Sequence, residues 1–143
     1  MIVYFDTSAI VPIIIEEPTS SIASRLWDEA DRVVSSRLVY AEGRAALAMA
    51  RRMDGVDDDE LRVAVEDFEA VHQQLDIVEV TESLVRDAGS LAEQFALCGY
   101  DAVHLASAQL VHDPEIVFAA GDKNLLKAAQ ALGLATSNLQ SKS

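Results

Sequence analysis

Short apolar runs alternate with longer stretches of helical period along this chain. Ile2–Phe5 reads as a buried strand, because its residues are apolar without the polar alternation of a half-exposed one. Ser20–Ala30 carries Ile22, Ala23, Leu26 and Trp27 at helical spacing. Val33–Ser35 is strand-sized. Arg37–Met53 is a long helix stopped by the turn pair Asp54-Gly55. Asp57–Leu75 is a second, with acids in its first turn, where the helix dipole favours them. Ile77–Val80 reads as a strand, and Thr81–Cys98 as a helix capped by Thr81 and stopped by Gly99. Asp101–His112 is a further helix, Ile116–Ala120 a strand, Lys123–Leu132 a helix ended by Gly133, and Leu134–Thr136 a last short strand. Such alternation implies a parallel sheet covered on both faces, a three-layer α/β/α sandwich. The 143 residues suit a single domain spanning 1–143, with 137–143 expected to fray.

In folds of this class ligands bind beyond the carboxyl ends of the strands. Asp6 directly follows the first strand, and Asp122 follows IVFAA by one glycine. Two more acids stand in unusual places. On a helical wheel Leu38, Ala41, Ala45 and Met49 form one apolar face, with Met53 at its edge and Glu42 inside it. A lone carboxylate there loses solvation and calls for a partner. Asp101 shares a face with Leu105 and Ala108 and so points inward. Each acid also has a plain explanation: an arginine neutralising Glu42, a first-turn acid at Asp101, a helix cap at Asp6 or Asp122. Together, four carboxylates gathered on one edge repel one another unless cations neutralise them. Oxygen ligands suit Mg²⁺ or Mn²⁺ rather than Zn²⁺. Such ions act on phosphate esters, so the chemistry expected is metal-dependent phosphodiester hydrolysis.

Charge sharpens that expectation. The formal net charge is −13, which opposes nucleic-acid binding unless the site brings its own cations. One cysteine, Cys98, excludes an internal disulfide and a Cys-based zinc site. Apolar runs such as IVPIII fall far short of the roughly 20 residues that cross a bilayer. The N-terminus lacks a signal-peptide pattern, and the reading is cytoplasmic, without membrane.

MIVYFDTSAI, the Glu of YAEGRAAL, DAVHLASA and FAAGDKNL resemble, in order and spacing, the four acidic motifs of PIN-domain ribonucleases. Length and motifs look most like the toxin of VapBC-type toxin–antitoxin modules. The resemblance covers almost the whole chain. It implies a PIN-like sandwich, usually a homodimer, that cleaves RNA to leave a 5′-phosphate and is inhibited by a small VapB-type antitoxin. It implies Asp6, Glu42, Asp101 and Asp122 as catalytic and metal-binding acids for Mg²⁺ or Mn²⁺. Thr7 and Ser8 match the polar positions behind the first acid. Gly121 departs from the polar residue that often precedes the fourth, which makes Asp122 the weakest ligand. A non-toxin PIN nuclease of RNA processing and a catalytically silent PIN-fold binding module are the alternatives.

Other chemistries fit less well. A phosphatase of the haloacid dehalogenase type needs a second Asp two residues after the first, where Ser8 stands. A receiver domain needs an acidic pair that is missing, and no phosphate-binding glycine loop is present. His104, three residues after Asp101, reads as a hydrogen-bonded packing histidine rather than a base or ligand. His72 and His112 have no partner at ligand spacing. Arg37, Arg44 and Arg51 recur every seven residues, a stripe for RNA backbone or for acidic neighbours. Trp27, Leu26 and Ile22 form a patch for core packing or for a partner helix.

Overall fold

The computed structural model describes residues 1–111 and 113–140. Its elements run β1 (Ile2–Phe5), α1 (Thr7–Ile14), α2 (Ser20–Glu29), β2 (Arg32–Ser36), α3 (Val39–Arg52), α4 (Asp58–Gln74), β3 (Asp76–Val78), α5 (Glu82–Phe95), α6 (Gly99–Leu110), β4 (Val117–Ala120), α7 (Lys123–Ala131) and β5 (Ala135–Asn138). The sheet order is β3-β2-β1-β4-β5, and every pairing is parallel. This is the α/β sandwich expected from the alternation of strands and helices.

Side chains of β1 alternate between two cores. Tyr4 enters the one built with α5, α6 and α7, beside Phe118, Leu105 and Leu125. Val3 and Phe5 enter the other, with α1 to α4, beside Ile10, Leu47 and Phe68. Strand β1 is therefore apolar on both faces, as a central parallel strand must be. From β1 the chain winds to β2 and β3, then crosses back to place β4 on the other side of β1. The β1/β4 seam is thus the point where strand order reverses, and a crevice for ligands opens there.

Several elements differ from the sequence reading. Helix α1 answers to the helix cap that is one reading of Asp6, although Val11, Pro12 and three successive isoleucines carry little helical signal of their own. Asp6 nucleates it by capping the Ala9 amide, and Pro12 is tolerated inside it. Helix α5 stops at Phe95 rather than Cys98, because Ala96 adopts a left-handed conformation with φ 53°. Gly99, expected to end α5, instead opens α6. The expected frayed tail is partly ordered: Ser137 and Asn138 pair with Ala119 and Ala120. Leu139 is buried in the core. Residue 112, placed by the sequence reading at a helix end, and residues 141–143 lie outside the described residues.

The wheel of α3 is rotated from expectation. Its buried residues are Val39, Gly43 and Leu47. Ala41 and Ala45 are exposed, and Met49 is 56% exposed. Gly43 explains the rotation: a Cβ there would stand 2.4 Å from the Phe68 ring. Without one, α3 and α4 approach closely along the Val39–Gly43–Leu47 stripe.

Candidate functional site

Strand β1 delivers Asp6 to the carboxyl edge of the sheet, where it is only 5% exposed. Its Oδ1 accepts from the Ser8 hydroxyl at 2.6 Å and from the Ala9 amide at 3.2 Å. Ser8 also accepts the Gly121 amide at 3.0 Å. One hydroxyl thereby ties the end of β1 to the loop after β4. Burial pushes the Asp6 carboxyl up to about 6, and the charge of Asp101 adds to the rise. The ring of His104, the Ser8 hydroxyl and the Ala9 amide oppose it.

Glu42 lies in the first turn of α3, half-buried at the same edge. Among the described residues no arginine neutralises it. Its Oε1 instead accepts from His104 Nε2 at 2.6 Å and from the Thr7 hydroxyl at 2.9 Å. Burial pushes this carboxyl up, yet the hydrogen bond and charge of His104 and the Thr7 hydroxyl outweigh it, and the net shift is downward. His104 is 1% exposed. Its Nδ1 lies 2.7 Å from the Tyr4 hydroxyl. The Tyr4 ring crosses His104 edge-on and stacks on Phe118 at 5.4 Å. Burial pushes the Tyr4 hydroxyl well up, so it keeps its proton. Sequence reasoning placed His104 correctly as buried and hydrogen-bonded but missed its partner. Its position one helical turn after Asp101 points to an acid on its own helix, and nothing local points to Glu42.

Asp101 sits half-buried in the first turn of α6, close enough to Asp6 for its charge to act there. Asp122 is exposed and caps α7 by accepting the Leu125 amide at 2.9 Å. Asp6, Glu42 and Asp101 thus belong to one neighbourhood beyond β1, while Asp122 stands at its rim on the β4 side. Among the described residues no three His, Cys, Asp or Glu side chains close around a single point as a finished metal cage. The donor chemistry still suits a hard cation. The oxygens are anionic, Asp6 is buried within reach of the charge of Asp101, and Mg²⁺ commonly uses one or two carboxylates while keeping its waters. An open cleft of about 280 Å³ adjoins this edge, lined in part by Thr7, Ser8, Ala46 and Gly121.

The arginine stripe does not serve this site. Arg37 pairs with Glu79. Arg44 donates to the Tyr40 hydroxyl at 2.9 Å and lies 3.9 Å from Glu69. Arg51 meets Asp58 at 2.5 Å and Asp54 at 3.6 Å. The stripe answers acidic neighbours. Trp27 tilts over Phe5 at 5.5 Å and packs against the core, so its patch is interior.

The PIN domain family model matches residues 3–131. Ribonuclease VapC45 of Mycobacterium tuberculosis is 47% identical over 132 residues, 92% of each chain. Among solved structures, FitAcB from Neisseria gonorrhoeae superposes with a TM-score of 0.71 at 18% identity, covering 98% of this chain and 99% of that one. A toxin–antitoxin complex from Klebsiella pneumoniae gives 0.68 at 15% identity, covering 98% and 99%. The solved structures share the fold, and the family model, which runs from β1 through α7 and so takes in Asp6, Glu42, Asp101 and Asp122, shows that this chain belongs to the PIN-domain family.

Proposed function

We propose that the protein is a metal-dependent endoribonuclease acting as the toxin of a type II toxin–antitoxin module. The observation that carries this is the Asp6 carboxylate, 5% exposed at the strand-order reversal and pushed up to about 6 by burial, with the charge of Asp101 adding to the rise. A buried carboxylate is kept where its ionised form has a partner to meet. Asp6 and Asp101 would hold Mg²⁺ or Mn²⁺, with Glu42 beside them and Asp122 contributing from the rim. Bound there, the ion supplies a Lewis acid that polarises the phosphate and lowers the pKa of water. Ser8 and the Ala9 amide fix the Asp6 carboxylate, and Thr7 fixes Glu42. The open edge beside Thr7, Ser8 and Gly121 leaves room for an RNA strand. The 47% identity to a VapC ribonuclease favours a toxin over a processing nuclease or a silent module. A VapB-type antitoxin and a homodimer follow from the same reading.

The test is cleavage of RNA by the purified chain with Mg²⁺ or Mn²⁺, with and without EDTA, for wild type and Asp6→Asn. Cleavage that needs the metal and falls at least about 100-fold in Asp6→Asn is expected, in keeping with the loss of a charge-stabilising group. Equal cleavage by the variant defeats the assignment.

A further inference from the structure

We propose that His104 is a positioning residue that locks Glu42 in place through a buried hydrogen-bond relay, Tyr4–His104–Glu42, closed by Thr7. The inference rests on the nuclease reading above, and it concerns how that site is held together.

A packing histidine usually satisfies its ring nitrogens with backbone or water. Here both nitrogens reach side chains, at 2.7 Å to Tyr4 and 2.6 Å to Glu42, inside a ring that is 1% exposed. The carboxylate of Glu42 only accepts, so Nε2 carries the hydrogen. In the neutral ring Nδ1 is then an acceptor and the Tyr4 hydroxyl its donor; in the charged ring Nδ1–H donates to the Tyr4 oxygen and the bond to Glu42 is the same. Glu42 thus sets the tautomer, and Tyr4, able to donate or accept, holds the ring in place. With His104 and Thr7 both on Oε1, that oxygen is fully used. Among the described residues Oε2 receives no hydrogen bond, and it is the oxygen left for an incoming cation or phosphate-bound water.

The relay joins the segments that carry the acids. Tyr4 lies two residues before Asp6, Thr7 one residue after it, and His104 one helical turn after Asp101. Strand β1 and helices α1, α3 and α6 therefore converge on one carboxylate. A glutamate at a helix start has three rotatable bonds and would otherwise lose rotamer freedom on each binding event. Fixing it beforehand favours ion binding.

The experiment titrates Mn²⁺ into wild type, Asp6→Asn, His104→Phe, Tyr4→Phe, Glu42→Gln and the His104→Phe/Glu42→Gln double variant, with free Mn²⁺ read by electron paramagnetic resonance. RNA cleavage is measured in parallel. His104→Phe should weaken Mn²⁺ about 10- to 100-fold, the usual cost of losing an outer partner. It should lower kcat and leave KM for RNA unchanged. The double variant should bind Mn²⁺ no worse than Glu42→Gln alone, because a residue acting through Glu42 has nothing left to act on. Additive losses in the double variant overturn the proposal, as does wild-type Mn²⁺ affinity in His104→Phe while Asp6→Asn loses it; the nuclease reading survives both. No Mn²⁺ binding and no cleavage by wild type defeats the nuclease reading and the relay together. Should His104→Phe fail to fold, Tyr4→Phe and its double variant with Glu42→Gln carry the same comparison, with a smaller loss in Mn²⁺ affinity expected and none overturning it.

Discussion

At the scale of single residues, the Asp6 carboxyl carries a sign that can be tested without substrate. Its proton is held more tightly in the folded state than in the unfolded one, with a folded value of about 6 against an ordinary 3.8. Its contribution to stability is therefore complete below about pH 4 and is lost as pH rises through about 6. Two units correspond to ~3 kcal/mol at most, since solvent and relaxation reduce it. Glu42 runs the other way: its lowered value gives stability at neutral pH that is lost on acidification. Urea unfolding in EDTA should show wild type losing ground to Asp6→Asn between about pH 4 and pH 7. A difference between the two that does not change with pH would remove Asp6 as a repelled, buried acid. The acids themselves were readable from the sequence because they interrupt apolar patterns: Asp6 ends a strand, and Asp101 shares a face with Leu105. The bond of His104 to Glu42 was not, because the two lie 62 positions apart on different helices.

At the scale of elements, local pattern located nearly every strand and helix, and tertiary contact decided the rest. The helix over 39–52 was legible, but its inward face was not. Alanine and methionine at positions 41, 45 and 49 looked like a core stripe, and a glycine did not. The core is on the glycine side because the Phe68 ring fills the space a methyl would take. In an exposed helix Gly→Ala is worth about 1 kcal/mol of added stability. Gly43→Ala should invert that sign and destabilise by about 1–2 kcal/mol, since overpacking a filled core costs ~1–3 kcal/mol. Denaturant unfolding checks it, and a stabilised Gly43→Ala would mean that Phe68 swings aside freely. The end of α5 was misplaced for a related reason. A left-handed residue usually advertises itself as glycine, and here it is Ala96.

At the scale of the whole molecule, an acidic chain leaves a conspicuously apolar surface open. A groove of about 600 Å³ runs between α5 and α6, lined by Leu38, Val80, Val85, Gly89, Tyr100 and Val103. Leu38 continues into the exposed Ala41–Ala45–Met49 stripe of α3. Val85 is 48% and Tyr100 64% exposed. If the proposed homodimer uses this groove, Val85→Glu with Tyr100→Glu gives monomers in sedimentation at concentrations where wild type is paired, and a variant that stays paired places the dimer contact elsewhere. Among the described residues no helix is long and apolar enough to cross a membrane.

The two oxygens of Asp6 differ: Oδ1 closes the first turn of α1 and meets Ser8, and among the described residues the hydrogen bonds stop there. Asparagine keeps an oxygen for those duties and is as good a cap as aspartate. On the proposed reading, exchanging that one atom disarms the chain and leaves its scaffold standing: a correctly shaped decoy, a single substitution away, for whatever molecules would hold the active form in check.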